Sequence, residues 1–192
     1  MHTAHKGDAP SFSRAGFAHP ATNVQALGVQ PGMLIADFGS GSGAYVLAIA
    51  KELLGSGHVF AIDIQKDLLR RIQNEASHAG YTNVEILWGD LEVPGGSKIA
   101  DDTLELVIIS NLLFQVPDKN VVIEEAMRIL RPSGRLAIID WSESYGGMGP
   151  HEDDVVSKAT AFGLAKDVGF TFVEEFAAGA HHFGLLFRKV VD

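Results

Sequence analysis

Glycines stand at alternate positions in Asp37-Phe38-Gly39-Ser40-Gly41-Ser42-Gly43, between an apolar run and a helical pattern. Glycine lets a backbone turn tightly and approach a ligand closely. A helix that opens just beyond such a turn offers free N–H groups and the positive end of its dipole to an anion. Asp63 ends the next apolar run, about twenty residues on, where a carboxylate can accept both hydroxyls of a ribose. The run after that ends in Gly89-Asp90-Leu91, and Asp90 there can accept from an adenine amino group. Asp37 opens the loop, where an acid can orient the loop or face an ammonium. Gly39–Gly43 and Asp63 together describe a site for a nucleoside with an anionic group close by.

Two ligand classes use such an arrangement. A dinucleotide such as NAD fits Gly39-x-Gly41-x-x-Ala44, which satisfies the loose dinucleotide pattern. S-adenosylmethionine fits as well, with its carboxylate at the loop. Asp37, Asp90 and the shape of the chain's end favour the second.

The elements that must position these residues alternate. Strands are expected over 34–38, 58–62, 84–87, 104–109 and 135–139, all apolar without alternation. That is how strands buried on both faces read. Helical patterns cover 44–54, 66–79 and 118–130, the last with Asp118 as N-cap and Pro132 as its stop. A short helix over 23–27 precedes them, ending at Gly28. Strands alternating with helices imply a doubly wound parallel sheet. The end differs: a helix over 152–168, then strands over 170–176 and 182–189 with no room for a helix between. Those two strands must form an antiparallel hairpin. The expected fold is therefore α/β, a doubly wound Rossmann-like, mostly parallel seven-stranded sheet with a C-terminal antiparallel hairpin strand. Residues 1–30 read as an N-terminal arm or lid, and 31–192 as one domain.

Composition narrows the partners. The 192 residues carry 15 basic and 24 acidic side chains, a net charge of −9, which repels a phosphate backbone and argues against nucleic acid. The absence of cysteine removes disulfides, thiolate metal sites and a cysteine nucleophile. His181 and His182 are adjacent and point to opposite faces of a strand, and no His-x-x-x-His occurs, so no metal site is expected. The N-terminus lacks the apolar core of a signal peptide. The longest apolar stretch, 104–114, is broken by Glu105, Ser110 and Asn111 and is too short to span a bilayer. A cytoplasmic protein is the expectation.

From about residue 34 to residue 189 the chain resembles the class I S-adenosylmethionine-dependent methyltransferases. Residues 37–43 match the family's glycine-rich first motif, and Asp63 and Asp90 match its acids after the second and third strands. Leu130-Arg131-Pro132-Ser133-Gly134-Arg135-Leu136 matches its turn into the fifth strand, with Ser133 where glycine is usual. The resemblance implies S-adenosylmethionine as cofactor and S-adenosylhomocysteine as product. It implies a cofactor site of Asp37, Gly39, Ser40, Gly41, Gly43, Asp63, Ile64, Asp90, Leu91 and Asn111. Within the family the layout is similar to the quinone and arsenite methyltransferase group.

The implied reaction is in-line transfer of a methyl group. Asn111-Leu112-Leu113-Phe114 lacks the Pro-Pro-aromatic run of DNA amino-methylating enzymes, and the missing thiols argue against pyrimidine C5 and arsenite methylation. A magnesium-dependent catechol enzyme would need acids where Asn111 and Trp141 stand. A small-molecule acceptor is the expectation, with a protein side chain still open. Phe114, Trp141 and Tyr145 follow strands four and five and are the substrate-side candidates, because aromatic faces can hold a sulfonium. No catalytic residue is assigned, although His151 and Glu143 could serve as a base. So small a cap leaves either an exposed pocket or one completed by a second copy in a homodimer. The competing readings are a nicotinamide-dependent oxidoreductase on a related, all-parallel fold, and a non-catalytic S-adenosylmethionine-binding protein.

Overall fold

A computed structural model describes residues 18–147 and 149–190. The elements in chain order are α1 (Pro20–Ala26), β1 (Leu34–Phe38), α2 (Ala44–Glu52), β2 (His58–Asp63), α3 (Lys66–His78), β3 (Val84–Trp88), β4 (Leu104–Ser110), α4 (Lys119–Ile129), β5 (Leu130–Trp141), α5 (Lys158–Val168), β6 (Phe170–Gly179) and β7 (His182–Lys189). Two 3-10 turns, Leu113–Gln115 and Glu152–Asp154, punctuate the loops after β4 and β5.

The strands form one seven-stranded sheet in the order β3-β2-β1-β4-β5-β7-β6. The first five run parallel, and β7 lies antiparallel between β5 and β6. Adjacent residues of one strand enter opposite layers, which explains the apolar runs without alternation. Ala36 and Phe38 join Val107 and Ile109 in the layer under α4 and α5. Ile35 joins Ile108, Val46, Ile49 and Ile72 in the layer under α1, α2 and α3. The strand order reverses between β1 and β4, so their carboxyl ends open a crevice of the kind that holds ligands in doubly wound sheets.

Local signals account for most boundaries. The side chain of Asp118 accepts from the Asn120 N–H at 3.1 Å and caps α4, as its sequence position predicts. Helix α1 opens at Pro20, earlier than expected, because proline's fixed φ suits a first helical turn. Its Val24 and Leu27 are buried in the layer it shares with α2. Residues 1–17 of the expected arm lie outside the described residues.

Two expectations about the C-terminal part need correction. The single helix over 152–168 is instead a 3-10 turn followed by α5, separated by extended backbone at Val155 and Ser157. Ser157 makes the break, since its hydroxyl accepts from the Thr160 N–H at 3.0 Å and starts α5 afresh. Strand β6 continues to Gly179, past residue 176, because its pairing with β7 runs from Phe170↔Lys189 to Gly179↔His182. Among the described residues no helix is long and apolar enough to cross a membrane.

Candidate functional site

The glycine loop is tied down by its own backbone. The N–H groups of Gly39 and Ser40 both donate to the Ile62 carbonyl, at 2.9 and 3.0 Å, and the Gly43 N–H donates to Ser40 at 2.8 Å. The Ser40 hydroxyl donates to the Asp37 carbonyl at 2.9 Å. At two glycines the dihedral disfavours any other residue, and an added Cβ would also displace a neighbouring side chain. Gly39 has φ +67°, and a Cβ there would meet Leu112 Cδ1 at 2.8 Å. Gly43 caps α2 with φ +80°, and a Cβ would meet Ile72 Cγ1 at 2.6 Å. A left-handed conformation disfavours any residue with a Cβ.

A cavity opens on each side of this loop. The first, of about 260 Å³, includes Asp37, Ser42, Ala44, Tyr45, Ser110 and Asn111 in its lining. The second, of about 130 Å³, includes Asp63, Ile64, Gly89, Asp90, Leu91 and Leu112. Gly39, Gly41 and Gln115 line both, so the two chambers meet at the loop. Ala44 and Tyr45, which open α2, line the first chamber, and the first N–H groups of a helix have no intrahelical partner.

Two carboxylates dominate the electrostatics. Asp37 is 2% exposed. Burial, and after it the nearby charge of Asp63, pushes its carboxyl up to about 8. Asp63 accepts from the Gly41 N–H at 2.9 Å through Oδ2 and from the Gln65 N–H at 2.8 Å through Oδ1. Asp90 accepts from the Glu92 N–H at 3.0 Å and so shapes its own turn.

The chambers thus gather Asp37, Gly39, Ser40, Gly41, Asp63, Ile64, Asp90, Leu91 and Asn111 from the expected cofactor set. Gly43 lines neither chamber; its place is under Ile72 at the start of α2. The other candidates lie elsewhere. Phe114 packs against the layer under α4 and α5. Trp141 is buried with its ring centroid 4.3 Å from that of His182. Tyr145 stacks on His181 at 3.8 Å, and Glu143 pairs with the same histidine at 2.8 Å. His151 is exposed ahead of the second 3-10 turn. The sequence reading missed Gln115, whose Nε2 donates to the Asn111 carbonyl at 2.7 Å, and Tyr45, whose hydroxyl accepts from Asn23 at 2.8 Å.

Comparison with known proteins gives the class. The family model described as a methyltransferase domain matches residues 30–166. An arsenite methyltransferase of Halobacterium salinarum is 30% identical over 125 residues, covering 65% of this chain and 30% of that protein. A demethylmenaquinone methyltransferase of Listeria monocytogenes is 31% identical over 121 residues, covering 62% of this chain and 49% of that protein. The matched region is thus at most about half the length of these two curated relatives. A crystal structure of a SAM-dependent methyltransferase from Aquifex aeolicus aligns with a TM-score of 0.82 at 25% identity, covering 94% of both chains. The chain belongs to the S-adenosylmethionine-dependent methyltransferases. Its cofactor is accordingly S-adenosylmethionine, and the reversed β7 sets its sheet apart from the all-parallel one that a nicotinamide enzyme would need.

Proposed function

We propose that this chain transfers a methyl group from S-adenosylmethionine to a small-molecule acceptor, with the two chambers around the glycine loop as the cofactor cleft. The observation that carries this reading is the placement of a buried acid, Asp37, in one chamber and of Asp63 and Asp90 in the other. When bound, the cofactor supplies an electrophilic methyl carbon on a sulfonium. In this reading the opening N–H groups of α2 hold its carboxylate and Asp37 faces its ammonium. Asp63 accepts from the ribose hydroxyls. Both its oxygens already accept one backbone N–H, and each keeps a second lone pair. Asp90 accepts from the adenine amino group, with Ile64 and Leu91 flanking the base.

The acceptor half rests on size and charge. A third cavity of about 530 Å³, lined by Ser142, Ser157, Phe176, His182 and Phe183 among others, lies beside the end of β5. That volume suits a small molecule. A net charge of −9 disfavours a nucleic acid. The protein's contribution is to hold the acceptor at attack distance, which can supply roughly 7–11 kcal/mol. A homodimer in which a second copy completes the cap belongs to the same reading.

The test is calorimetric titration with S-adenosylhomocysteine, with NAD as the parallel ligand. Micromolar binding of the first alone is expected. Binding of NAD alone, or of neither, overturns the cofactor cleft. A screen of small acceptors with methyl-labelled S-adenosylmethionine then looks for labelled product; transfer only to protein or nucleic acid overturns the acceptor class.

A further inference from the structure

Three of the four polar groups of Asn111 are engaged within the protein. Its N–H donates to the Ile139 carbonyl at 2.9 Å. Its carbonyl accepts from Gln115 at 2.7 Å. Its side-chain Oδ1 lies 3.1 Å from Nε2 of His182. Only the amide NH2 has no partner among the described residues, and Asn111 lines the first chamber beside Asp37 and Ser110. Its backbone is left-handed, with φ +53°, so neighbours must hold it there.

His182 is 6% exposed and lies directly across from Trp141 in the β5–β7 pair. Its Nδ1 is buried without a partner. That orphan decides the tautomer. If Asn111 presents oxygen, Nε2 carries the proton and Nδ1 is left only with a bare lone pair. If the amide were turned over, Nδ1 would carry a buried N–H with no acceptor. Orphaned buried N–H groups are the rarer case. Burial, and after it the charge of His181, holds His182 down to about 4, so the ring is neutral near pH 7 and has one proton to place.

We infer that His182 is a positioning residue: its Nε2–H fixes the amide of Asn111 so that the NH2 is presented to the cofactor chamber. This rests on the chamber being the cofactor cleft. Neither residue type nor spacing signals the pair, since the two lie 71 positions apart.

The test uses the full chain and S-adenosylhomocysteine. His182→Leu keeps an apolar body against Trp141 and removes the donor; affinity is expected to fall roughly five- to tenfold. His182→Gln places an amide NH2 near the Nε2 position and is expected to restore affinity to within about twofold. Asn111→Gly removes the amide but tolerates the left-handed backbone, and His182→Leu added to it is expected to have no further effect. Unchanged affinity in His182→Leu, no rescue by His182→Gln, or an undiminished loss in the Asn111→Gly background each overturns the inference. Imidazole 15N shifts of the unmutated protein give a reading that needs no variant: a neutral Nε2–H ring is expected at pH 7, and an Nδ1–H or charged ring overturns it. If the unmutated protein does not bind the ligand at all, the cofactor reading has failed and the tautomer still tests the pair.

Discussion

The backbone N–H of Gly41 donates to Oδ2 of Asp63 at 2.9 Å, joining the tip of the glycine loop to the end of the neighbouring strand. One carboxylate therefore both shapes the loop and faces the second chamber. Asp63→Ala removes the partner of Gly41 and of Gln65, and a lost partner of this kind costs about 1–3 kcal/mol. The affinity for S-adenosylhomocysteine is expected to fall tenfold or more, with Asp63→Asn in between because it keeps one accepting oxygen. Titration calorimetry checks this, and an affinity within twofold for Asp63→Ala would remove Asp63 from the site.

Asp37 gives the protein a pH signature of its own. Its carboxyl is pushed up to about 8 by burial and then by Asp63, against about 4 in an unfolded chain. Between those values the folded protein holds a proton that the unfolded chain has released. The contribution of Asp37 to the stability of the ligand-free protein is therefore expected to fall as pH rises from about 4 to about 8, most visibly above about pH 6.5, where the opposite contribution of His182 is complete. Asp37→Asn should flatten that slope in urea denaturation. An ammonium bound near Asp37 favours its ionised form, so binding at pH 7 should release up to about one proton. Calorimetry in buffers of different ionisation heat measures that release, and a buffer-independent heat would contradict it.

Gly43 and Gly146 form a matched pair. Both have positive φ, but a Cβ on Gly43 would meet Ile72 at 2.6 Å whereas one on Gly146 meets nothing within 4 Å. Gly146→Ala carries only the dihedral penalty, about 1–2 kcal/mol. Gly43→Ala adds overpacking, typically 1–3 kcal/mol more. Thermal melts should rank Gly43→Ala clearly below Gly146→Ala, and equal melting temperatures would mean that Ile72 moves aside freely.

Glu125 carries the opposite pH sign. It is 3% exposed and accepts from the N–H groups of Gly95 and Ser97, both at 3.0 Å, and from Arg128. Burial alone would raise it, but Arg128 and the Ser97 and Gly95 bonds outweigh burial and bring it down to about 2. Its contribution is present above about pH 4.5 and is lost as pH falls toward 2. Removing Glu125 leaves the N–H groups of Gly95 and Ser97 without their acceptor, while the partly exposed Arg128 keeps Asp101, so the cost is that of lost hydrogen bonds, about 1–3 kcal/mol for each N–H left unsatisfied. Glu125→Ala should lose about that much at pH 7 in urea denaturation, with the gap to the unmutated protein narrowing in acid. A constant gap would assign the loss to packing.

The sheet and its ligand edge were legible because parallel strands bring their carboxyl ends to one side. Asp37 lies one residue before the end of β1, Asp63 ends β2 and Asp90 follows β3, so three separate runs could be read as one edge. Tyr45 was not legible because it is placed by packing between α1 and α2, and Gln115 because only the 3-10 turn after β4 folds it back onto Asn111. The pairing of His182 with Asn111 depends on β7 folding back beside β5. Phe114 looked like a mouth residue from its position after β4. The 3-10 turn at Leu113–Gln115 instead turns it toward the layer under α4, and Leu112 takes the place beside Gly39. The acidic run 152–154 suggested a helix start, and it masked the true cap at Ser157.

The waist formed by Gly39, Gly41 and Gln115 makes the cleft a two-chamber vessel. A ligand that spans the waist behaves as two tethered fragments, each raising the local concentration of the other. Adenosine alone or methionine alone would hold weakly, and the joined molecule would hold far better than either. Losing a methyl group does not cut the tether. In the proposed reading S-adenosylhomocysteine would keep both footholds, so inhibition that grows as the product accumulates is the expected outcome.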